Sequence, residues 1–417
     1  MSPINPLLKN SLSGVCLREE AFRLWLDHRP ELSGYSFLLA EADGDGPLHF
    51  PARLDFPDGG HLRSIFAHDT LFLINNDLLD QAAVRGQSRI RVDYTVAFDA
   101  NVATYLRSWH QGRAVPVVTM LQSVFRSLNA GRFNWDLLPF LLERSADIVA
   151  GRDLAQIYET QLAATWFASS DRTHFGQTGE IRLTVSENEI VRRAQTALGS
   201  WSQQLKRGMN DLIQQRFQLF HASLLKIVLL QLENPTPADA PLKLARWLEF
   251  MHNDLQMLLI LPTRAALEFF QKGSAFKPMA KVANRSPRLS QAVRNVTWDF
   301  VQLIWRHTFT GFNSRVEGVF IPYFLTFDRG LADLCDIHPQ RSCLFGNEIT
   351  PPLFFGDVNL PALILRSFPD LEKLVWSIFN VGADQNRQRR RQTEPARIDA
   401  IEAKLEEQLG TFVASGS

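Results

Sequence analysis

Three cysteines (Cys16, Cys335 and Cys343) in 417 residues are too few for a disulfide framework or a cysteine-rich zinc site. A surplus of either charge is also lacking, with 44 Lys and Arg against 44 Asp and Glu. That balance argues against binding dominated by attraction to nucleic acid or to an anionic membrane, although a local basic patch is compatible with it. No run reaches the roughly 18 apolar residues of a bilayer-spanning helix. The best candidates, 224–232 and 255–261, are cut by Lys226 and Pro262. The opening MSPINPLLKNSLSG has no basic segment followed by an apolar core, so no signal peptide is expected. A cytoplasmic protein with no membrane partner fits these absences. What is present, 45% apolar and 21% charged residues, is close to globular averages and excludes wholesale disorder.

At about 150 residues per domain the length suggests two or three domains. Residues 1–89 mix strand and helix signals: 19–28 reads as a helix, and Asp43-Gly-Asp-Gly-Pro47 and Asp58-Gly-Gly60 read as hairpin turns. Over 90–98 the apolar residues Ile90, Val92, Tyr94, Val96 and Phe98 alternate with Arg91, Asp93 and Thr95, which predicts a strand. Asp99 ends it before a short helix, and further helices are expected over 116–128 and 134–150. A long helix is predicted from 187 to 233. Ser186 and Glu189 form a capping box, Val185 and Ile190 can staple its start, and Asn234-Pro235 stops it. Unbroken it would be roughly 65–70 Å long, so it either bends near Gly199 or Gly208 or projects as an arm. A helix over 242–261 could pack back on it, making 155–275 a largely helical insertion.

Beyond it, 291–308 reads as an amphipathic helix. The apolar run 318–327 reads as a buried strand in which Pro322 argues for a bulge or an edge. A helix is expected near 370–379. Residues 384–395, with Arg387, Arg389, Arg390 and Arg391, read as a solvated linker before a last amphipathic helix.

Four acids have settings suited to chemistry. Asp99 and Asp328 each close an apolar strand ahead of a helix. In one parallel sheet both would emerge at the carboxyl edge, where open α/β sheets bind ligands. Glu143 and Asp299 lie in otherwise apolar helical stretches, and a buried charge there is costly unless something pairs with it.

The string YTVAFDANVATYL resembles the opening motif of PIN-domain nucleases, a strand ending in Asp with Asn two residues on. YFLTFDRGLADL resembles that family's last motif, a strand ending in Thr-x-Asp before a basic residue and a small helix. The resemblance implies an α/β fold: a PIN-like parallel sheet flanked by helices, its core in two parts (90–154 and 276–383) around the insertion 155–275. Residues 1–89 would be a mixed α/β extension, and 384–417 a basic linker with a C-terminal helix. It further implies a metal-dependent nuclease acting on phosphodiester bonds, with single-stranded RNA preferred over DNA. Asp99, Glu143, Asp299 and Asp328 would be its catalytic and metal-binding acids. Asn101 and Thr326 would hold the carboxylates, and Arg329 would meet a substrate phosphate. An all-oxygen ligand set suits Mg²⁺ or Mn²⁺, and the ion would activate a water and stabilise developing charge. The basic residues of 272–294, among them Lys277, Lys281 and Arg285, could guide a phosphate backbone to the site.

Ordinary roles compete with each assignment. Asp99 and Asp328 suit helix N-caps, Glu143 suits a solvent-facing position, and Asp299 could pair with Arg294 or Arg306. A non-enzymatic interaction or regulatory protein, associating with a partner or with itself through its helical insertion, is the main alternative. A HEPN-type ribonuclease using Arg23 and His28 is a third.

Overall fold

The computed structural model describes residues 6–42, 48–49, 51–88, 91–113, 116–128, 134–313, 318–346 and 349–414. Ile90 and the turn at 43–47 lie outside them. The chain is mixed α/β and divides into two compact units. The first comprises 1–210, 304–328 and 339–357; the second comprises 211–303, 329–338 and 358–417. The helical stretch 155–275 therefore contributes to both.

All strands among the described residues belong to the first unit: β1 (Tyr35–Glu41), β2 (Leu48–His49), β3 (Arg53–Asp55), β4 (His61–Ser64), β5 (Thr70–Ile74), β6 (Arg91–Phe98), β7 (Asn134–Asp136), β8 (Gly311–Asn313), β9 (Gly318–Thr326), β10 (Gln340–Gly346) and β11 (Ile349–Gly356). One sheet is antiparallel, in the order β11-β10-β1-β5-β2. Its β1 is buried along its whole length, with Phe37 and Leu39 packed against Trp25 of helix Arg18–Asp27 in one apolar cluster.

The other sheet runs β3-β4-β9-β6-β7, with β8 also on β9. β3 and β4 form the hairpin expected at Asp58-Gly-Gly60. β6 lies parallel to both β9 and β7. The simple alternation read over 90–98 does not carry through to burial, since Thr95, Val96, Ala97 and Phe98 are all buried. Strands in the parallel part of a sheet are commonly covered on both faces by packed helices. Phe98 packs there into an aromatic cluster with Phe125 (centroids 5.5 Å apart) and Trp135 (5.3 Å), and Phe125 stacks on Phe167 at 4.4 Å.

Pro322 does not mark an edge or a bulge. β9 is central, and its register with β6 is unbroken from Arg91↔Gly318 to Phe98↔Leu325. On the opposite side β8 pairs with 318–320 and β4 with 323–326. Pro322 falls in the gap between these partners, where the ladder needs no amide from it.

Three helical expectations change. The 187–233 helix is divided into Glu187–Gln204 and Asn210–Glu233 by a π turn, in which Gly208 has φ 107°. Of the outcomes its length allowed, this is the bend near Gly208. The 242–261 stretch breaks likewise after Phe250, through a wide turn ending at Gln256 with φ 56°. Residues 384–393 are no linker but part of helix Val381–Thr393. Asn380 caps this helix through the Ala383 amide at 2.8 Å, and Arg387 is buried, donating to the Ile378 carbonyl at 2.7 Å and bonding His252 Nδ1 at 3.0 Å. No helix among the described residues is long and apolar enough to cross a membrane.

Gly318 starts the β6–β9 pairing, and a Cβ there would run into the Arg91 carbonyl oxygen. Gly318→Ala is expected to destabilise the protein by about 1–3 kcal/mol, as overpacking against a rigid neighbour does. Chemical denaturation checks this, and an unchanged midpoint would contradict the close approach.

Candidate active site at the carboxyl edge of the parallel strands

The two strand-end acids of the sequence motifs come together. Asp99 follows β6, and its amide donates to the Leu325 carbonyl of β9 at 3.2 Å, one step beyond the ladder. Its side chain is 2% exposed. Oδ1 accepts the Val102 amide at 2.6 Å and so caps helix Ala100–His110, the ordinary role foreseen for it. Oδ2 accepts the Thr326 hydroxyl. The Thr326 oxygen in turn accepts the Asp328 amide at 2.9 Å. A chain of bonds thus runs from the Asp328 backbone through Thr326 to the Asp99 carboxylate.

Desolvation pushes the Asp99 carboxyl from its ordinary 3.8 to about 7. Bonds from Thr326 and Val102 resist that rise, and the negative charge of Asp328 adds to it. Two carboxylates in one secluded place repel each other unless a proton or a cation intervenes. Tyr105 stands close to both: burial raises its phenol first, and the charges of Asp99 and Asp328 raise it further. Its ring meets Phe327 edge-on at 5.7 Å.

A third acid of the same edge was not among the sequence candidates. Asp136 ends β7 and pairs in register with Ala97 of β6, so it sits diagonally from Asp99. It accepts the Leu138 amide at 2.9 Å. Desolvation raises its carboxyl to about 6 against the pull of the Leu138 and Leu137 amides. It carries the same signature as Asp99, an Asp between a strand and a helix. The signature was hidden because 134–150 reads as one helix, whereas it is β7 followed by helices Leu138–Glu143 and Ser145–Ala150.

The remaining candidates lie mostly on helices. Glu143 is the half-buried last residue of helix Leu138–Glu143. Asp299 lies in helix Leu289–Phe309, in the second unit, with its carboxylate 3.4 Å from the Lys281 ammonium. The Arg285 guanidinium stacks 3.8 Å above the Phe412 ring. Lys277 begins the short 3-10 segment Lys277–Val282. Arg329 bonds Asp333 one turn along its own helix at 2.8 Å. The Asn101 side chain is exposed, and it is its backbone amide that reaches Asp99. Arg23 is exposed, and His28 bonds Glu31 at 2.9 Å.

Elsewhere, His221, Glu402 and Glu406 bring potential ligand atoms within 4.8 Å of one another in the second unit. His221 Nδ1 already bonds Glu402 at 2.7 Å, and Arg294 faces Glu406 at 3.9 Å, so this group is a tether for helix Ile398–Ala414. Comparison of the chain with protein-family models, curated proteins and solved structures finds no match.

The Asp99 carboxyl is higher in the folded chain (about 7) than in the unfolded one (3.8). Its contribution to stability is therefore fully present below about pH 4 and is lost as the pH rises through about 7. The difference amounts to a few kcal/mol, at about 1.4 kcal/mol per tenfold change in the proton equilibrium. Asp99→Asn keeps an oxygen for the Val102 amide and removes the charge. In a chelator at about pH 8, Asp99→Asn is expected to melt several degrees above the unaltered protein, with the gap closing toward about pH 5. A gap that is absent, or independent of pH, would show that the carboxylate is not confined as described.

Proposed function

We propose that the chain is a metal-dependent PIN-like nuclease that hydrolyses phosphodiester bonds, with single-stranded RNA as its substrate. The observation that carries this reading is the convergence of Asp99 and Asp328 at the carboxyl ends of two adjacent parallel strands, with the Thr326 hydroxyl between them. The donor set fits a hard divalent cation. It consists of oxygen atoms, and a bound cation would offset the desolvation that chiefly raises Asp99 as well as the smaller repulsion from Asp328. Mg²⁺ or Mn²⁺ would be held by Asp99 and Asp328 and would supply an activated water and positive charge for the phosphate.

The protein's own groups define the rest. Val102 and Thr326 occupy one direction on each Asp99 oxygen and fix the plane of the carboxylate, so its remaining lone pairs have set directions. Thr326 links Asp99 to the Asp328 backbone and fixes the Asp99 carboxylate relative to it. The Tyr105 phenol, kept protonated by burial and by the two carboxylates, is a hydroxyl donor at the rim for a phosphate oxygen. Glu143 remains a candidate acid of this reading through the order of the motifs.

In the interaction-protein alternative the 187–233 helix would be the functional element; it is divided at Gly208, and its second part is buried over much of 213–231.

Mixed-sequence single-stranded RNA should be cut in Mn²⁺ or Mg²⁺ and spared in chelator. Asp99→Asn and Asp328→Asn are each expected to slow cleavage about 100-fold or more, the effect of losing roughly 3 kcal/mol of transition-state stabilisation. Gel analysis of labelled RNA reads this. Cleavage undiminished in both variants would end the proposal.

A further inference from the structure

We propose that the cavity beside the carboxyl edge is a base-recognition subsite that takes guanine. Its place on an RNA rests on the nuclease reading, whereas its binding preference can be read without any cleavage. The cavity has a volume of about 470 Å³, within the range of roughly 300–1,000 Å³ usual for small-ligand sites. It is lined by Phe98, Trp135 and Asp136 at the ends of β6 and β7. Its walls are the helices Leu154–Ala168 and Glu187–Gln204. Each wall presents small side chains one turn apart, Ala164 and Ala168 on one and Ala197 and Ser200 on the other. Larger residues at these positions would close the space. Ala168, Ala197 and Ser200 are exposed, so the cavity opens to solvent.

The lining also holds Gln161, Thr165, Ser169, Ser200, Gln204 and Arg193, the last bonded to Glu189 at 2.7 Å, and two further polar groups specify the ligand. The Trp201 indole Nε1–H is buried with no hydrogen-bond partner among the described residues, a costly state that a ligand acceptor would relieve. The Asp136 carboxylate accepts the Leu138 amide and retains further acceptor directions for ligand donors. A ligand satisfying both offers an acceptor to the indole and donors to the carboxylate, on a flat apolar body that stacks with Trp135 and Phe98. Guanine fits. Its N1–H and N2–H lie side by side and match the two oxygens of a carboxylate, and O6 and N7 are acceptors in the same plane. Uracil sets its single ring N–H between carbonyl oxygens, which repel the carboxylate. Adenine and cytosine set a ring nitrogen acceptor beside their amino group, with the same effect.

The test is calorimetric titration of the full-length protein in chelator with GMP, AMP, CMP and UMP in turn, so that the phosphate is constant and only the base differs. GMP is expected to bind at least 10-fold more tightly than the others. Asp136→Asn should abolish that preference. Ala164→Leu, which fills the cavity and leaves Asp136 in place, should weaken GMP binding at least 10-fold, with the fold checked by circular dichroism. Ser200→Leu, at an exposed position on the opposite wall, provides the same test if Ala164→Leu does not fold. Equal binding of the four nucleotides, no binding of any, or a GMP preference that survives both fillers would overturn the subsite. GMP selectivity in a protein that cuts no RNA supports the subsite and counts only against the nuclease reading. Cutting without base selectivity does the reverse.

Discussion

The parallel pairing of β6 with β9 is the constraint on which the site depends. The two strands are separated by more than two hundred residues, yet their register is continuous from Gly318 to Leu325. A parallel pair brings both carboxyl ends to one edge, and the register sets Asp99 level with Thr326 rather than a residue to either side. A slip of one residue would turn Thr326 away from Asp99 and replace it by Phe327. Gly318 allows the close approach at the start of the pair, and the gap around Pro322 lets a proline sit inside a central strand without breaking the ladder.

How much of this was legible follows from what each signal measures. Strand-to-helix transitions at Asp99 and Asp328 are local events with strong composition cues, so both acids could be picked out and their meeting anticipated. Asp136 has the same chemistry on a strand of three residues, too short for a period to register, and it disappeared into a helical pattern. Tyr105 reaches the site only through the path of its helix after Asp99, which no spacing rule encodes. The run Arg387–Arg391 looked solvated because charge density is all that a sequence offers. Arg387 is buried because carbonyl and imidazole groups distant in sequence meet it. Asp299 meets Lys281, on a neighbouring segment that no spacing rule joins to its helix. Gly208 was one of two glycines, with Gly199, at which the sequence allowed a bend, and its φ of 107° is what selects it.

The site also shows how a buried acid can be tolerated. Asp99 is an N-cap and a charged group in one. The amide of Val102 and the hydroxyl of Thr326 offset part of the cost of burying it, and the remainder raises its proton affinity. Behind the edge, the stack of Phe98, Phe125 and Phe167 holds β6 from the side away from solvent. The helices beyond it approach through alanine and serine side chains and leave space next to Asp136. Rigidity on one flank and room on the other come from the same sequence choice: aromatic residues where the sheet is packed, small ones where the helices face each other.

The Thr326 hydroxyl has one hydrogen. Because its oxygen receives the Asp328 amide and its hydrogen goes to Asp99, the group cannot rotate without breaking a bond at one end or the other. It acts as a pawl. A tug on the backbone at the end of β9 is passed to the carboxylate as a turn of a single C–O bond, and anything that gripped Asp99 would be felt at the peptide of Asp328. The position of the Asp99 carboxylate is thereby geared to the backbone at Asp328.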